Sequence, residues 1–505
     1  MNKQINDPMA LFEWEFFDWP LEFTRIRCHK GIYQLPRDSK ISLNRGEDYK
    51  LTGNVMGILA DRESIEYKGG VIDPAAGEFM EMEHIEGSKT GWETIELKGA
   101  LLGRHQLKGP LSMSDPRYSF DAKVITFELD YLDNGYTPEE TEKLLEFYLC
   151  GQTNFFWPRS TKRKEVTKTA KIRIGIDKDI DDPVDIAKVG GGSGSDFFLI
   201  ETPSHYIIVQ EVAQDYLPDW SKGILFEYRR KDRAFPGSEE RKAISEIVGF
   251  ILGTQLLKVG ESHLDKSDLL VKKTAYSPWG DNVMSKCSSS ARPPVSFNHH
   301  EDWGKIETLL NQLVPAYIEK RDAYNLKDVL WKYWIARELA IGTNLPILSS
   351  GLETLAEAYI AANKLTRTYS KTEKDQYHTL IKDDLESVKD KLDAFDFKKR
   401  VIDKLENPFS IGVGEKLKLF FTHLKLNFNN KAIENQAMQA RNAMTHGPLD
   451  SADKEVKKYI KLTHAYESVF HRVLLRVLDY KGDYIDYSAM GHPNLPMDEN
   501  LRGKL

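Results

Sequence analysis

Apolar and polar positions alternate in short runs through the first part of the chain. In the second part they recur every three to four residues. Before about residue 290, the runs 12–19, 64–67, 79–84, 92–97, 123–129, 171–176, 197–201, 206–212 and 224–228 have strand character. Several alternate as a half-buried strand should, and Gly, Pro, Asp and Asn separate them. Two helices are predicted among these strands. Thr137-Pro138-Glu139-Glu140 offers an N-cap, a first-turn proline and two carboxylates at the positive helix end, leading into Lys143–Cys150. Residues 238–253 place Ile244, Ile247, Val248 and Ile251 at helical spacing.

After residue 300 the period is helical throughout. Helices are predicted over 301–320, 325–341, 347–363, 371–393, 413–427, 430–446 and 454–479. The last carries one apolar stripe through Val456, Tyr459, Ile460, Tyr466, Val469, Phe470, Val473, Leu474 and Val477. Amphipathic helices with short connections predict a bundle. Residues 281–300 are rich in Ser and Pro, have no period, and read as a crossing between regions. The expected fold is therefore α+β and multidomain. A β-rich region spans 1–285, a linker 286–300 and an all-α bundle 301–505.

With 505 residues, 41% of them hydrophobic, the chain can bury more than one core, which excludes a disordered protein. No uninterrupted apolar stretch is long enough to predict a membrane span. The opening MNKQINDPMALFEWEFFDW lacks the apolar centre of a signal peptide, so the expected location is the cytoplasm. Cys28, Cys150 and Cys287 lie too far apart for a disulfide framework or a Cys-x-x-Cys metal cluster. The formal charge is −7, from 70 Lys+Arg and 77 Asp+Glu. Residues 301–505 hold 31 basic and 30 acidic residues (+1), leaving 39 and 47 (−8) for the first 300. Any nucleic-acid contact must then come from a local patch.

Several motifs carry little. The glycine-rich segment 190–195 lacks a following Gly-Lys-Ser/Thr and precedes a strand, so it reads as a flexible loop before a phosphate cradle. His299-His300-Glu301-Asp302 and Cys28-His29 lack metal-ligand spacing. No Gly-x-Ser-x-Gly elbow supports serine hydrolysis. Two basic clusters, Arg159/Lys162/Arg163/Lys164 and Arg229/Arg230/Lys231/Arg233, adjoin aromatic residues and could hold a nucleic-acid strand, although a charge run is more often a solvated face.

One segment stands apart: Arg441-Asn442-Ala443-Met444-Thr445-His446, at the end of a predicted helix stopped by Gly447-Pro448. Histidine takes or gives a proton near neutral pH, and the helix C-terminus favours its charged form. Arginine matches phosphate in a fork. Together they suit RNA cleavage by the RNA's own 2′-hydroxyl, without metal or cofactor. Arg441 and His446 sit about 140° apart around the helix, whereas Asn442 and His446, four apart, share a face. Residues 412–446 carry Lys416, Lys418, Lys425, Lys431 and Arg441 against Glu415 and Glu434. Lys425 and Lys431 are the expected substrate-binding side chains in that basic stretch. From spacing alone, the favoured reading is a capping histidine beside a surface arginine, with no chemistry.

The segment, at the end of a bundle helix and before a long final helix, resembles the R-x4-6-H motif of HEPN domains. The layout of a β-rich N-terminal region and a C-terminal helical bundle looks like ApeA-type anti-phage HEPN proteins. The resemblance implies a metal-independent endoribonuclease of bacterial defence, a toxin acting by abortive infection, with transfer RNA one plausible substrate. It implies a homodimer or higher homo-oligomer through the bundle, with Arg441 and His446 catalytic and Asn442 as the polar residue beside Arg441. The N-terminal region would then sense a phage-derived trigger or restrain the bundle. Two other classes stay open. One is a non-catalytic RNA- or protein-binding bundle. The other is a β-rich recognition domain with a helical oligomerisation tail.

Overall fold

In the computed structural model, the residues described are 20–30, 40–58, 83–88, 94–108, 117–130, 141–152, 157–158, 162–166, 169–173, 197–203, 205–212, 217, 219–230, 235–265, 270–278, 283–288, 291–297, 304–366, 371–395, 398–406, 412–426, 431–446 and 453–497. The chain is α+β, with strands in its first and middle parts and helices towards its C-terminus. It divides into two compact units, Met1–Pro315 and Ala316–Leu505. Among the described residues, no helix is long and apolar enough to cross a membrane.

The first unit opens with six antiparallel strands: β1 (Leu21–Lys30), β2 (Lys40–Arg45), β3 (Leu51–Ile58), β4 (Glu83–Ser88), β5 (Thr94–Lys108) and β6 (Arg117–Asp130). They pair in the order β6-β3-β2-β1-β4-β5, and β5 pairs again with β6, so the ring closes. Closure removes the exposed edges that an open sheet must protect. The two longest strands make this possible. One edge of β6 pairs with β5 from Arg117 to Asp130. Its other edge pairs with β3 over Arg117–Val124 and then changes partner over Thr126–Asp130.

That second partner belongs to a further antiparallel sheet built from β7 (Lys143–Cys150), β10 (Phe197–Glu201), β11 (His205–Glu211), β12 (Lys222–Arg230), β13 (Leu257–Leu264) and β14 (Leu270–Tyr276). Its order is β10-β11-β12-β7-β13-β14, with β14 next to β6. A separate hairpin pairs β8 (Lys162–Val166) with β9 (Thr169–Arg173). Arg45 braces the junction of ring and sheet: its guanidinium donates to the carbonyls of Tyr49 (2.6 Å), Tyr276 (3.1 Å) and Val259 (3.0 Å).

The helix expected at Lys143–Cys150 is instead strand β7, a correction with a clear cause. All eight residues are buried, with β12 on one side and β13 on the other. A short apolar run has no period that separates a buried strand from a buried helix, and here the two neighbouring strands decide. Helix α1 (Ser238–Leu252) forms as expected and buries Ile244, Ile247, Val248 and Ile251. It ends on Gly253, left-handed at φ 72°.

The stretch 281–300 begins with α2 (Val283–Ser288), whose Val283 and Cys287 join the core against β7. Beyond it, Val295 and Phe297 are buried, and the Arg292 amide donates to the Gly253 carbonyl at 3.0 Å. Helix α3 (Lys305–Lys320) carries Pro315, where the two units divide. Its Glu307 and Asn311 accept the amides of Leu199 (2.8 Å) and Glu201 (2.7 Å) on edge strand β10. Side chains thus take two amides of an edge that, among the described residues, no further strand pairs.

The second unit contains α4 (Leu326–Glu338), α5 (Asn344–Ala362), α6 (Lys371–Lys391), α7 (Lys398–Glu406), α8 (Val413–His423), α9 (Lys431–His446) and α10 (Asp453–Val477), then the hairpin β15 (Asp483–Ile485) and β16 (Asn494–Pro496). Helix α5 packs against α4, α8, α9 and α10, while α6 packs with α7 and buries none of its residues. The α10 stripe departs from expectation at both ends. Val456 is exposed and Tyr459 and Ile460 are half-buried, whereas residues 465–475 are buried on every side.

Strands expected at 92–97, 123–129, 171–176, 197–201, 206–212 and 224–228 overlap β5, β6, β9, β10, β11 and β12, and that expected at 79–84 meets the start of β4. Runs 12–19 and 64–67 lie outside the described residues.

Candidate functional site

Arg441, Asn442 and His446 lie on the last turns of α9, and His446 is its final helical residue. Lys431 is its first. At 1.5 Å per residue, Lys431 and His446 are about 22 Å apart along the axis. Lys425 is exposed in the turn after α8, in a left-handed conformation at φ 56°. The backbone therefore gathers Arg441, Asn442 and His446 at one end of α9, and leaves Lys431 at the other.

Helix α9 is anchored through Glu434 and Ala437, both buried. The Glu434 carboxylate accepts a hydrogen bond from the Arg472 guanidinium of α10, both side chains sealed from solvent. Arg472 also lies 5.1 Å over the Tyr484 ring. An early residue of α9 meets a late residue of α10, and only six residues separate the end of α9 from the start of α10, so the two helices run antiparallel.

A second polar group fastens α10 to α4. The Tyr333 hydroxyl is 2.8 Å from Nε2 of His471, which is fully buried, and 3.4 Å from Glu467 Oε1. Arg337 closes the group at 3.5 Å from Glu467. On the same helix Thr463 donates to Asn344 Oδ1 at 3.2 Å. Buried polar groups of this kind must be satisfied together, so they fix the register of α10 against its neighbours.

Residue patterns alone missed a larger buried network in the first unit. Glu146 of β7 is 1% exposed; its Oε1 accepts from Arg241 Nε (2.8 Å) and Lys258 Nζ (2.6 Å). Its Oε2 accepts from the hydroxyls of Tyr148 (2.8 Å) and Tyr228 (3.1 Å). Glu261 of β13 meets Arg241 (3.1 Å), Lys258 (2.6 Å) and His263 Nε2 (2.8 Å). Burial alone would raise the Glu261 carboxyl, but the His263 hydrogen bond and the charges of Lys258 and Arg241 hold it well below the usual range. Burial, and then the Glu146 charge, push the phenols of Tyr148 and Tyr228 well up. The charges of two carboxylates, one Arg and one Lys cancel, and each carboxylate oxygen has a donor. The network holds α1 on the sheet. Its one signal in the sequence is a Glu inside an otherwise apolar Leu-Leu-Glu-Phe-Tyr-Leu run.

Of the second basic cluster, Arg229 is buried on β12 with Nε 2.6 Å from Glu227, and Arg230 lies 4.7 Å over the Phe235 ring. Arg229 is thus taken up by a buried ion pair and does not belong to a solvated face. Lys231, Arg233, Arg159, the glycine-rich segment 190–195 and His299–Asp302 lie outside the described residues. Lys162, Arg163 and Lys164 run along β8, and Cys28 and His29 along β1. Comparison with protein-family models, with curated proteins and with solved structures finds no match.

Proposed function

We propose that the chain is a metal-independent endoribonuclease of the HEPN type, acting in the bacterial cytoplasm in anti-phage defence. The observation that supports this most directly is Arg-Asn-Ala-Met-Thr-His at the C-terminal end of α9, within a helical unit. A basic residue takes the proton of the RNA 2′-hydroxyl. That oxygen bonds to the adjacent phosphorus, the bond to the 5′-oxygen breaks, and an acid protonates the departing oxygen. Two copies of His446 across a two-fold axis supply one base and one acid. Arg441 stabilises the charge that develops on the phosphorane. Asn442, one turn before His446, orients the imidazole or contacts phosphate. The products are a 2′,3′-cyclic phosphate and a 5′-hydroxyl. The β-rich first unit restrains the bundle until a phage component engages it.

Purified wild type and His446→Ala, first matched in melting temperature, are incubated with total cellular RNA in EDTA, with and without phage-infected lysate. The expected result is cleavage by the wild type alone, with cyclic-phosphate ends. Intact RNA in both conditions would move the chain to a binding role, and cleavage that requires added metal would overturn the mechanism.

A further inference from the structure

Residues 465–475 of α10 are buried all round, yet Lys457, Lys458 and Lys461 of the same helix are exposed. The Glu434–Arg472 pair fixes the register of the α9–α10 hairpin. Because the helices are antiparallel and share one rise per residue, each step forward on α9 matches a step back on α10. Position 441 is then level with Ala465, and position 445 with Lys461.

The angular positions agree with the axial ones. Lys461 precedes Arg472 by eleven residues, about three full turns, so it continues the stripe of α10 that faces α9. Ala465, seven residues before Arg472, lies on that stripe and is buried. Lys457 and Lys458 flank the stripe one turn further out. On α9, position 441 follows Glu434 by seven residues, about two turns, and falls on the stripe facing α10. Lys461 is therefore level with the last turn of α9, and Lys458 and Lys457 stand about 3 and 4.5 Å beyond its end, whereas Lys431 is at the opposite end.

We infer that Lys457 and Lys461 are the phosphate-binding side chains that hold a single-stranded RNA backbone beside the Arg441–His446 segment. This rests on the ribonuclease reading and replaces its expected anchors, Lys425 and Lys431. Clustered lysines bind phosphate by releasing counterions, so they add affinity with little sequence preference and a steep salt dependence. His464 continues the Lys457–Lys461 row by three residues and is half-buried, edge-on to His492 at 6.4 Å between ring centres. The row therefore passes from exposed lysines to a packed imidazole, which limits RNA to the outer half of α10.

The test uses the full chain and a fluorescein-labelled 20-nucleotide single-stranded RNA of mixed sequence. Anisotropy is read in EDTA across a salt series, in the His446→Ala background so that the probe survives. Two variants with equal change of charge are compared, K457E/K461E and K425E/K431E. The expected result is at least about a tenfold weaker affinity for K457E/K461E. Its salt slope should fall by roughly 0.7 for each phosphate that the variant no longer neutralises, and K425E/K431E should change less. If K457E/K461E melts below the parent, Lys457→Gln with Lys461→Gln replaces it. Unchanged binding by the α10 variant, or a larger loss from K425E/K431E, overturns the inference and leaves the ribonuclease reading standing. A parent protein that neither binds this probe nor, with His446 intact, cleaves RNA overturns both.

Discussion

Glu434 and Arg472 form an ion pair whose side chains are only 1% and 5% exposed, and it ties the start of α9 to the second half of α10. Two charges removed from water are tolerable only as a pair. The pair also sets which residues of α10 lie level with Arg441 and His446, so it links stability to the layout of the candidate site.

Removing one partner should therefore cost much more than removing both. Glu434→Gln or Arg472→Met should each lose about 3–5 kcal/mol, and the double variant Glu434→Leu/Arg472→Met should recover much of that. Urea titrations of the four proteins measure the coupling. Additive losses would show that the pair contributes nothing as a pair.

Glu261 makes the first unit sensitive to acid. Its folded carboxyl titrates well below the ordinary value of 4.5. The stability it contributes is thus fully present above about pH 4.5 and is lost as the pH falls towards the folded value. Glu261→Gln should be less stable than wild type at pH 6, and the gap should narrow steadily on going to pH 3. Denaturation midpoints measured at half-unit intervals test this, and a gap independent of pH would refute it.

Gly253 should not accept a side chain. It caps α1 at φ 72°, and a Cβ there would overlap the backbone of Arg292 and Pro293. Gly253→Ala should cost more than about 1–2 kcal/mol, combining left-handed strain with displacement of the following segment. A melting temperature within a degree of wild type would mean that residues 291–297 do not pack on the end of α1.

Cys150 and Cys287 should be inert in the native protein. Burial pushes the Cys150 thiol well up, and pushes Cys287 to about 12. With Cys28→Ser removing the third thiol, a disulfide reagent at pH 8 should label none of the native protein within minutes, and two thiols after denaturation. Rapid native labelling would show that α2 leaves β7 readily.

Some of this was legible in residue patterns and some was not. The period of 3.6 located α1, α3, α4, α5, α6, α8, α9 and α10 within a few residues, because amphipathic helices report their buried face locally. α7, only nine residues long, was missed. Strand β12, buried on both faces through its middle, was legible as a short apolar run bounded by turn residues. Strand β7, equally buried, was not, because its cap-like Thr-Pro-Glu-Glu prelude pointed to a helix and burial on both faces leaves no alternation to correct it.

The chemistry divides along the same line. By itself, the sequence determined that Arg441, Asn442 and His446 share the last turns of one helix, because their spacing is a local property of α9. It could not determine what stands beside them. Lys425 and Lys431 read as substrate-binding because they belong to the same basic stretch of the chain, and a straight helix puts about 22 Å between Lys431 and His446. The level of Lys461 against that segment depends on the contact between Glu434 and Arg472, residues 38 apart in the chain. The Glu146 network joins residues up to 112 apart. Contacts between distant residues are created only when elements pack, so only the tertiary structure decided which residues of α10 lie level with the last turns of α9.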